Sequence, residues 1–482
     1  MSRLLICLVI TIGSLPTVTG QSWKALGGGP VGSSHAVQSL FGDPVTQRLY
    51  AGGTFTYYMN DADTVTVYGQ AQWNGTRWDS IGHRIQEGAQ QTYWFLRFEN
   101  ELYACGGFGF YTDSQEFNKS LAKFDGANSR WESLECINPN MGGMTTLVPK
   151  EPTTTLYATG YTGSICGYPQ SCIFRYDGSA FHIWEPFNEV PYYNNNYVGT
   201  VFDYQGYTYV TGLFRDPLGP GSVSFMRHNG SNWEYIPGWN TLSPIKSVLI
   251  RNGILYVAGA FHESGGAPGN LVAAFNGTTW NNLGGGLEYS TGPNSAAALD
   301  LEWWHGELYA CGLFNNCGGV LCDGIAKWTG TQWCGLPGQF SGATSDITTL
   351  SDMTIWQDSL FVCGGISYVD GVPFNRTVAQ WIGGDEVAYC SEPVGVVENA
   401  NALEPNGLEV RPIGNGCQWL IQLPPIGSWK VDVYDASGRM VQNLPLGSFS
   451  VLLDLGQQAS GMYIVRATNA DGKFQSAKVA KP

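Results

Sequence analysis

Charged side chains are scarce in this chain of 482 residues, since Asp, Glu, Lys and Arg make up only 13% of it. An average soluble protein has about twice that share. Long runs of Ala, Glu, Lys and Leu, which favour helices, are missing as well. No apolar stretch reaches the roughly 20 residues that a membrane-spanning helix needs. These absences argue against a mainly helical protein and against a helical membrane protein.

Basic residues are outnumbered, with 24 Lys and Arg against 39 Asp and Glu and a net charge of −15. Nucleic acids and anionic lipid surfaces are bound chiefly through Lys and Arg. We therefore expect neither as a partner. An excess of negative charge also keeps extracellular proteins soluble, and this is the simpler interpretation of the charge.

The usual catalytic and metal-binding motifs are absent. Only six His are present, and there is no H-E-x-x-H, G-x-S-x-G, Gly-rich phosphate loop or C-x-x-C pair. We therefore expect no cofactor and no metal. Asp61 and Asp63 could bind a hard cation through their oxygens, but the remaining ligands of a calcium loop are missing, which favours a solvated polar loop.

Glycine and aromatic residues are plentiful, with 64 Gly and 13% Phe, Trp and Tyr. Much of this content belongs to an internal repeat whose motif is Leu-Tyr-x-x-Gly, with variations. The second position of the motif falls at Tyr50, Tyr103, Tyr157, Tyr209, Tyr256, Tyr309 and Phe361. Seven copies at a period of about 50 residues are typical of a β-propeller with one blade per repeat.

Each repeat predicts four short antiparallel strands. An apolar strand comes first, then the Leu-Tyr strand, then a strand that ends in an aromatic residue, and last a strand that opens with one. The opening aromatics of the fourth strands are Trp78, Trp131, Phe181, Trp233, Trp280 and Trp333. We expect them to pair across strands or pack between blades. Dipeptides such as Asn74-Gly75 predict a two-residue type I′ turn between the third and fourth strands.

The seventh repeat loses its pattern after Trp381 and lacks a fourth strand. The segment from Trp23 to Gly29 resembles the fourth strand of the fifth repeat, from Trp280 to Gly286. We therefore predict that the N-terminal strand lies beside Trp381 and completes the last blade, which removes an open sheet edge. The predicted fold class is all-β, a seven-bladed β-propeller over residues 21–390 followed by a small C-terminal β-sandwich.

The repeats resemble kelch and galactose-oxidase-like propellers over residues 21–390. They are most similar to bacterial and fungal surface repeats that combine the tyrosine–glycine strand with a tryptophan–glycine turn. This resemblance implies a fold and no particular activity, because propellers host many unrelated functions. A copper-radical oxidase is not expected, since Cys105, Cys311 and Cys363 all follow the Tyr or Phe of a second strand by two residues and so look structural.

The first 20 residues predict a cleaved export signal. Arg3 precedes an apolar run from Leu4 to Ile12, and small residues lie before Gln21. Export agrees with the 12 Cys of the chain. Two close pairs, Cys166 with Cys172 and Cys317 with Cys322, could form local disulfides, whereas the pairing of the others cannot be deduced.

The pattern changes after Cys390. Residues 391–403 have the composition of a linker, and residues 404–482 contain short alternating runs that predict a small β-sandwich. Three pieces resemble the C-terminal sorting domain of the type IX secretion system: Val433 to Arg439, Ser460 to Val465 and Lys478 to Lys481. The resemblance implies secretion to the outer surface of a Gram-negative bacterium, with that secretion machinery as a partner. An ordinary accessory β-sandwich is the alternative.

The loops after the second strands differ most between repeats, and they carry aromatic residues. In a propeller these loops cluster on one face, where a rigid scaffold presents binding residues. The predicted ligand-binding residues are Tyr57, Tyr58, Tyr111, Tyr168, His262 and Tyr368, with Phe110 and Phe374 in the same loops. They predict a non-catalytic binding or adhesion module for a glycan or a protein, although they could instead pack under their own loops. We expect the protein to be a monomer.

Two other functions are compatible with the sequence. A secreted glycosidase or lyase would need two carboxylates about 5–10 Å apart at the channel mouth. Asp300, Glu302 and Asp352 are the candidates, because they lie in the first strands of the sixth and seventh repeats. A structural component of the cell surface would show itself by self-assembly.

Overall fold

The computed structural model divides the chain into two compact units, residues 1–393 and 394–482. The residues that it describes are 22–31, 36–60, 63–82, 85–111, 116–133, 144–145, 155–160, 173–176, 181–188, 197–289, 296–342, 349–374, 377–385, 387, 389–391, 408–413, 418–422, 429–435, 439–444, 450–469 and 474–481. The predicted export signal, the pair Cys166 and Cys172, and Asp61 lie outside these ranges.

The described residues form many short antiparallel sheets and almost no helix. The helical segments are one α-helix at Glu185–Asn188 and one 3₁₀ helix at Glu263–Gly265. No helix among the described residues is long and apolar enough to cross a membrane. The expectation of an all-β chain is therefore confirmed.

Seven sheets of four strands or more follow the seven repeats, and we number them 1 to 7 in chain order. Sheet 1 contains Ala36–Asp43, Arg48–Thr54, Gln70–Trp73 and Trp78–Ser80. Sheet 2 contains Ile85–Phe98, Glu101–Tyr111, Glu116–Asp125 and Arg130–Ser133. Sheet 3 contains Met144–Thr145, Leu156–Gly160, Ile173–Tyr176 and Phe181–Ile183. Sheets 4 and 5 contain Tyr197–Tyr204, Tyr207–Arg215, Ser222–His228, Trp233–Tyr235; and Ile245–Arg251, Ile254–Gly259, Val272–Phe275, Trp280–Asn281.

Sheets 6 and 7 depart from this simple order at their outer edges. Sheet 6 contains Ala297–Trp304, Glu307–Leu313, Ile325–Trp328, Trp333–Gly335 and a fifth strand, Tyr389–Cys390. Sheet 7 contains Leu350–Trp356, Ser359–Gly364, Val378–Trp381 and, as its fourth strand, Trp23–Ala25. Trp23 is paired with Trp381 and Ala25 with Ala379. The predicted place of the N-terminal strand is confirmed.

The repeat glycine has a steric reason. In sheets 1, 5, 6 and 7 the register of the first strand shifts by one residue, as at a β-bulge, and the motif glycine lies opposite the residue before the shift. A Cβ added to Gly312 would lie 2.1 Å from the carbonyl oxygen of Ala297. One added to Gly364 would lie 2.2 Å from that of Thr349. Only glycine allows the two strands to approach so closely.

Tryptophans of the fourth strands join consecutive sheets. Six indole N–H groups donate to a backbone carbonyl that follows the fourth strand of the preceding sheet, at 2.7 to 3.2 Å. These bonds run from Trp23 to Pro337, Trp78 to Leu26, Trp131 to Ile81, Trp233 to Pro186, Trp280 to Pro237 and Trp333 to Leu283. Trp is favoured here because it supplies apolar bulk and one directed donor. Phe181, at the equivalent position of sheet 3, has no such donor.

The turns between third and fourth strands differ from the expectation. Trp73 pairs directly with Trp78, so the loop has four residues, and Asn74 does not take a positive φ angle. Its side-chain oxygen instead accepts hydrogen bonds from the N–H groups of Thr76 and Arg77. The prediction of a two-residue type I′ turn was therefore wrong. The asparagine stabilises this turn with its side chain, and only Gly75 is left-handed.

Among the described cysteines, a disulfide joins Cys334 to Cys390, which face each other on the last two strands of sheet 6. This pairing was not deducible from the sequence. Cys317 and Cys322 carry thiols, as do Cys105, Cys311 and Cys363, and all five are buried. The last three lie in second strands next to the register shift, in agreement with a structural role.

The second unit contains two antiparallel sheets around one apolar core. The first has three strands, Glu409–Ile413, Gln418–Gln422 and Ser450–Asp454. The second has four, Met440–Leu444, Trp429–Asp435, Gly461–Asn469 and Phe474–Lys481. Both sheets contribute to the core, for example through Ile421 and Val433. The short runs of the sequence that predict strands all lie in strands: Trp419 to Ile421, Val431 to Tyr434, Val451 to Leu453 and Met462 to Val465.

Candidate ligand-binding surface

The loops that follow the second strands of sheets 1, 6 and 7 form small sheets of their own. In each case the loop makes a hairpin that pairs with the chain segment entering from the preceding sheet. The accessory sheet of sheet 1 contains Pro30–Val31, Tyr57–Met59 and Thr64–Thr66. That of sheet 6 contains Leu287–Glu288, Asn316–Cys317 and Val320–Leu321. That of sheet 7 contains Phe340–Ser341, Tyr368–Val369 and Val372–Pro373. Each loop is thereby held by backbone hydrogen bonds.

Alternation along the accessory strand separates the two adjacent tyrosines of the first loop. Tyr57 is 40% exposed, whereas Tyr58 is completely buried. The ring of Tyr58 stacks on Trp78 at 4.7 Å and meets Phe55 edge-on at 5.7 Å. Tyr58 therefore belongs to the core and is not accessible to a ligand, which corrects its place among the candidate residues.

The accessory sheets of sheets 6 and 7 repeat this arrangement. Cys317 and Val369 take the buried position of Tyr58. Asn316 and Tyr368 take the position of Tyr57, and both are partly exposed. The same inward and outward pattern therefore recurs in three loops.

Apolar side chains flank these outward positions. Met59 is 44% exposed, Leu321 57% and Val372 56%. Sequence reasoning missed these three, because it searched the loops for aromatic residues only. We call the set Tyr57, Met59, Leu321, Tyr368 and Val372 the hairpin surface. Exposed apolar groups on a rigid framework are a common basis for recognition.

The remaining aromatic candidates are not members of the hairpin surface. His262 is half-buried and precedes the 3₁₀ helix, and its carbonyl oxygen accepts hydrogen bonds from the N–H groups of Gly265 and Ala267. Phe374 is buried against the core of sheet 7. Tyr111 ends the second strand of sheet 2, and its side chain, like the whole of Tyr168, lies outside the described residues.

The carboxylate of Asp300 connects three consecutive sheets. It is 1% exposed and lies just after the register shift of its strand. One oxygen accepts a hydrogen bond from the hydroxyl of Ser247 in sheet 5 at 3.0 Å, and the other accepts from the N–H of Met353 in sheet 7 at 3.1 Å. These bonds direct the carboxylate into the protein.

Asp352 repeats this arrangement one sheet further along. It is 1% exposed and accepts a hydrogen bond from the N–H of Leu40 in sheet 1 at 2.7 Å. Beside it, the hydroxyl of Thr354 accepts from the N–H of Gly42 at 3.0 Å. Both buried aspartates thus bind backbone donors of a neighbouring sheet, which is a structural use of the charge.

The other acidic candidates offer little to a cation. Asp63 forms a surface ion pair with Arg77 at 3.1 Å. Glu302 is half-buried and lies opposite Tyr309. Over the described ranges, no group of three or more His, Cys, Asp or Glu side chains is arranged to hold a metal ion.

An exposed tyrosine that the sequence analysis did not select lies on sheet 4. Tyr235 is 52% exposed, and its hydroxyl donates to Asp216 at 2.7 Å. That hydrogen bond, with a small contribution from burial, raises the pKa of the phenol. A tyrosine held in this way stays neutral at physiological pH, and it provides a comparison for the hairpin surface.

No protein-family model and no curated protein matches this sequence. Among solved structures, Sqt1 of Saccharomyces cerevisiae aligns with a TM-score of 0.36 and 8% identity, over 95% of this chain and 98% of that one. The C-terminal domain of gp131 from bacteriophage phiKZ gives 0.27 and 12%, over 61% and 91%. Bacteroides ovatus xyloglucan PUL GH43B gives 0.26 and 10%, over 95% and 90%. At TM-scores this low, none of these similarities assigns a fold or an activity to this chain.

Proposed function

We propose that sheets 1 to 7 are the blades of a closed seven-bladed β-propeller of the kelch-like kind. Three observations support this. First strands of neighbouring sheets contact each other at five borders: 1 with 2, 4 with 5, 5 with 6, 6 with 7, and 7 with 1. Sheet 3 contacts the second strand of sheet 2 through its own first strand, and the first strand of sheet 4 through its own second strand. Trp23 bonds sheet 7 to sheet 6, and Trp78 bonds sheet 1 to the extension of the N-terminal strand. The N-terminal strand itself completes sheet 7.

The propeller acts as a non-catalytic binding module for a glycan or a protein. The observation that carries this is the hairpin surface, where Tyr57 and Tyr368 occupy equivalent outward positions on loops fixed by accessory sheets. Tyrosine provides a flat apolar face and a polar end at a small loss of conformational entropy, which suits it to sugar rings and to protein surfaces.

Hydrolysis is the weaker alternative, because the carboxylates that would serve it are engaged. A general acid must hold its proton near the reacting bond, and a base or nucleophile must reach the substrate. Asp300 and Asp352 are buried and accept hydrogen bonds from neighbouring sheets. Releasing either one would leave buried donors without partners, at a cost of about 1–3 kcal/mol each.

Export to the cell surface completes the proposal. The second unit serves as a β-sandwich sorting domain read by type IX secretion machinery, and the residues behind that resemblance have structural uses. Asp435 and Arg439 close one turn, through a backbone hydrogen bond and an ion pair at 2.9 Å. Gly461 opens a strand with a φ of +146°, and the hydroxyl of Tyr463 donates to Ala459.

The binding function is tested with the full secreted chain on glycan arrays and in pull-downs from its environment. We expect a ligand whose affinity falls about tenfold or more when Tyr57→Ala and Tyr368→Ala are combined, since an interface aromatic commonly contributes over 1 kcal/mol. Tyr235→Ala, an exposed tyrosine on sheet 4, is the matched control and should leave binding unchanged. Unchanged binding in the double variant, or turnover of a glycan that Asp300→Asn abolishes, would contradict the proposal.

A further inference from the structure

Two thiols face each other in the accessory hairpin of sheet 6. Gly318 and Gly319 make its two-residue turn, both with positive φ angles, and Cys317 pairs with Val320. Cys322 lies two residues beyond Val320, so its side chain is on the same face as that of Cys317. The two side chains are therefore diagonal neighbours on one face of the hairpin.

Both thiols are enclosed by the core of sheet 6. Cys317 is 0% exposed and Cys322 3%. Gly335, on the fourth strand, allows the close approach, because a Cβ there would lie 2.9 Å from the Cβ of Cys322. Its neighbour Cys334 forms the disulfide with Cys390. The thiol pair therefore packs against the strand that carries the disulfide.

We propose that Cys317 and Cys322 form a further disulfide when the protein is exported, an inference that rests on the proposed export. A disulfide-bearing oxidant, such as a thiol–disulfide oxidoreductase or glutathione disulfide, accepts the two electrons. One thiolate attacks the oxidant's disulfide and releases a thiol, the second thiolate attacks the mixed disulfide, and two protons leave the cysteines. The product is one S–S bond in the chain and one reduced dithiol, or two thiols, from the oxidant.

The bond has to form before the hairpin packs. The attacking species is a thiolate that an oxidant can reach, and in the folded chain both sulfurs are covered. Burial, followed by the interaction with Cys317, raises the pKa of the Cys322 thiol. The reduced folded protein should therefore resist oxidation, whereas a chain that folds in an oxidising compartment should acquire the bond.

Mass spectrometry of the full chain tests this. The protein is purified from an oxidising compartment without reductant, acid-quenched, alkylated in denaturant and digested. We expect a linked peptide for Cys317 and Cys322, and alkyl groups on Cys105, Cys311 and Cys363. The Cys334–Cys390 bond is the internal control for oxidation. Alkylation of both Cys317 and Cys322 in molecules that hold the control bond would overturn the proposal.

Two further measurements separate the outcomes. Reduced folded protein exposed to glutathione disulfide should react at Cys317 and Cys322 about a hundredfold more slowly than the denatured chain, because access requires local opening. Equal rates would refute the order of events. In a Cys322→Ser variant, Cys317 should remain alkylatable and unlinked. If Cys317 instead becomes linked to Cys334 or Cys390, the assigned pairing is wrong.

Discussion

Sheets 6 and 7 are built alike through three strands and differ in the fourth. Both pair a buried aspartate with a buried cysteine across the first two strands, Asp300 with Cys311 and Asp352 with Cys363. Sheet 6 takes its fourth strand from the next turn of the chain and adds a fifth through the Cys334–Cys390 disulfide. Sheet 7 takes its fourth strand from the N-terminus without a covalent bond.

The difference shows two ways of protecting a sheet edge from mispairing. A local hairpin needs only a four-residue turn, and a covalent bond then holds the segment that leaves sheet 6. A strand from the opposite end of the unit depends on side-chain anchoring instead. The anchor is Trp23, which packs on Phe340 and Trp381 with ring centroids 5.0 and 4.9 Å away and is fully buried.

The largest effect should come from removing that anchor. Trp23→Ala deletes a completely buried ring and its hydrogen bond to Pro337, so we expect a loss of about 3–5 kcal/mol in the free energy of unfolding. Denaturation in urea, followed by tryptophan fluorescence, measures the loss. The control is Lys24→Ala in the same strand, whose side chain is exposed. Equal stabilities would mean that the N-terminal strand does not hold sheet 7.

Removing the covalent bond of sheet 6 should have a smaller effect. Cys334→Ser combined with Cys390→Ser opens a loop with a sequence separation of 56, and we expect a loss of about 2–4 kcal/mol under oxidising conditions. In reductant the variant and the native chain should unfold together. A difference that persists in reductant would assign the effect to packing rather than to the bond.

The carboxylate that joins sheet 6 to its two neighbours comes next. Asp300→Asn keeps the shape but brings an amide N–H₂ towards the donors of Ser247 and Met353. We expect a loss of about 1–3 kcal/mol, measured as the urea midpoint at a constant slope. Asp63→Asn, in a surface ion pair, is the control. If the Asp300→Asn protein is as stable as the native chain, the structural role of this carboxylate is wrong, and a catalytic role for Asp300 gains support.

Replacing the indole donor of sheet 6 should matter less. Trp333→Phe keeps most of the apolar ring but removes the hydrogen bond to Leu283, which produces the chemistry found naturally at Phe181 of sheet 3. We expect a loss of about 1–2 kcal/mol. Thermal unfolding checks this, with Trp73→Phe as the control, because that indole makes no hydrogen bond to any residue that the structure describes.

The smallest effect should be a pH dependence at the border of sheets 6 and 7. Hydrogen bonds from His305 and Trp304 lower the pKa of Asp358 below its usual value of 3.8. Because this carboxyl has a lower pKa in the folded protein than in the unfolded chain, its contact stabilises the fold fully at any pH above the pKa of the unfolded chain. The stabilisation is lost as the pH falls through the pKa of the folded protein. The difference in melting temperature between native protein and Asp358→Asn should be slight at neutral pH and vanish in acid. A difference that grows in acid would contradict the assignment.

The repeat and the place of its last strand could be predicted because both depend on strong local signals. Trp23 lies in a segment that resembles the one at Trp280, and the motif glycine meets a steric requirement that recurs in sheets 1, 5, 6 and 7. The accessory sheets could not be predicted, because strands of two or three residues are too short to show a periodicity. Tyr57 and Tyr58 look alike in sequence, and only pairing with Pro30 and Val31 decides which one faces outward.

Side-chain competition explains the remaining differences. Asn74 was expected to take a left-handed conformation, but its amide oxygen binds two N–H groups of the turn and keeps the residue in an ordinary one. The Cys334–Cys390 bond joins two strands that are neighbours only in the folded sheet. Connectivity of this kind is not contained in the spacing of the cysteines.

Borrowing its fourth strand gives sheet 7 a consequence for the timing of folding. Trp23 and Pro337 are 314 positions apart, whereas Trp333 and Leu283 are 50 apart. By loop-closure entropy, joining the ends of the longer segment is only about 1.6 kcal/mol less favourable than joining those of the shorter one. The completion of sheet 7 is therefore delayed mainly by the time needed to synthesise the chain. The N-terminal strand has no partner strand in sheet 7 until the ribosome has synthesised the strand that ends at Trp381. Until then sheet 7 keeps an open edge, so its completion must follow the synthesis of almost the whole first unit.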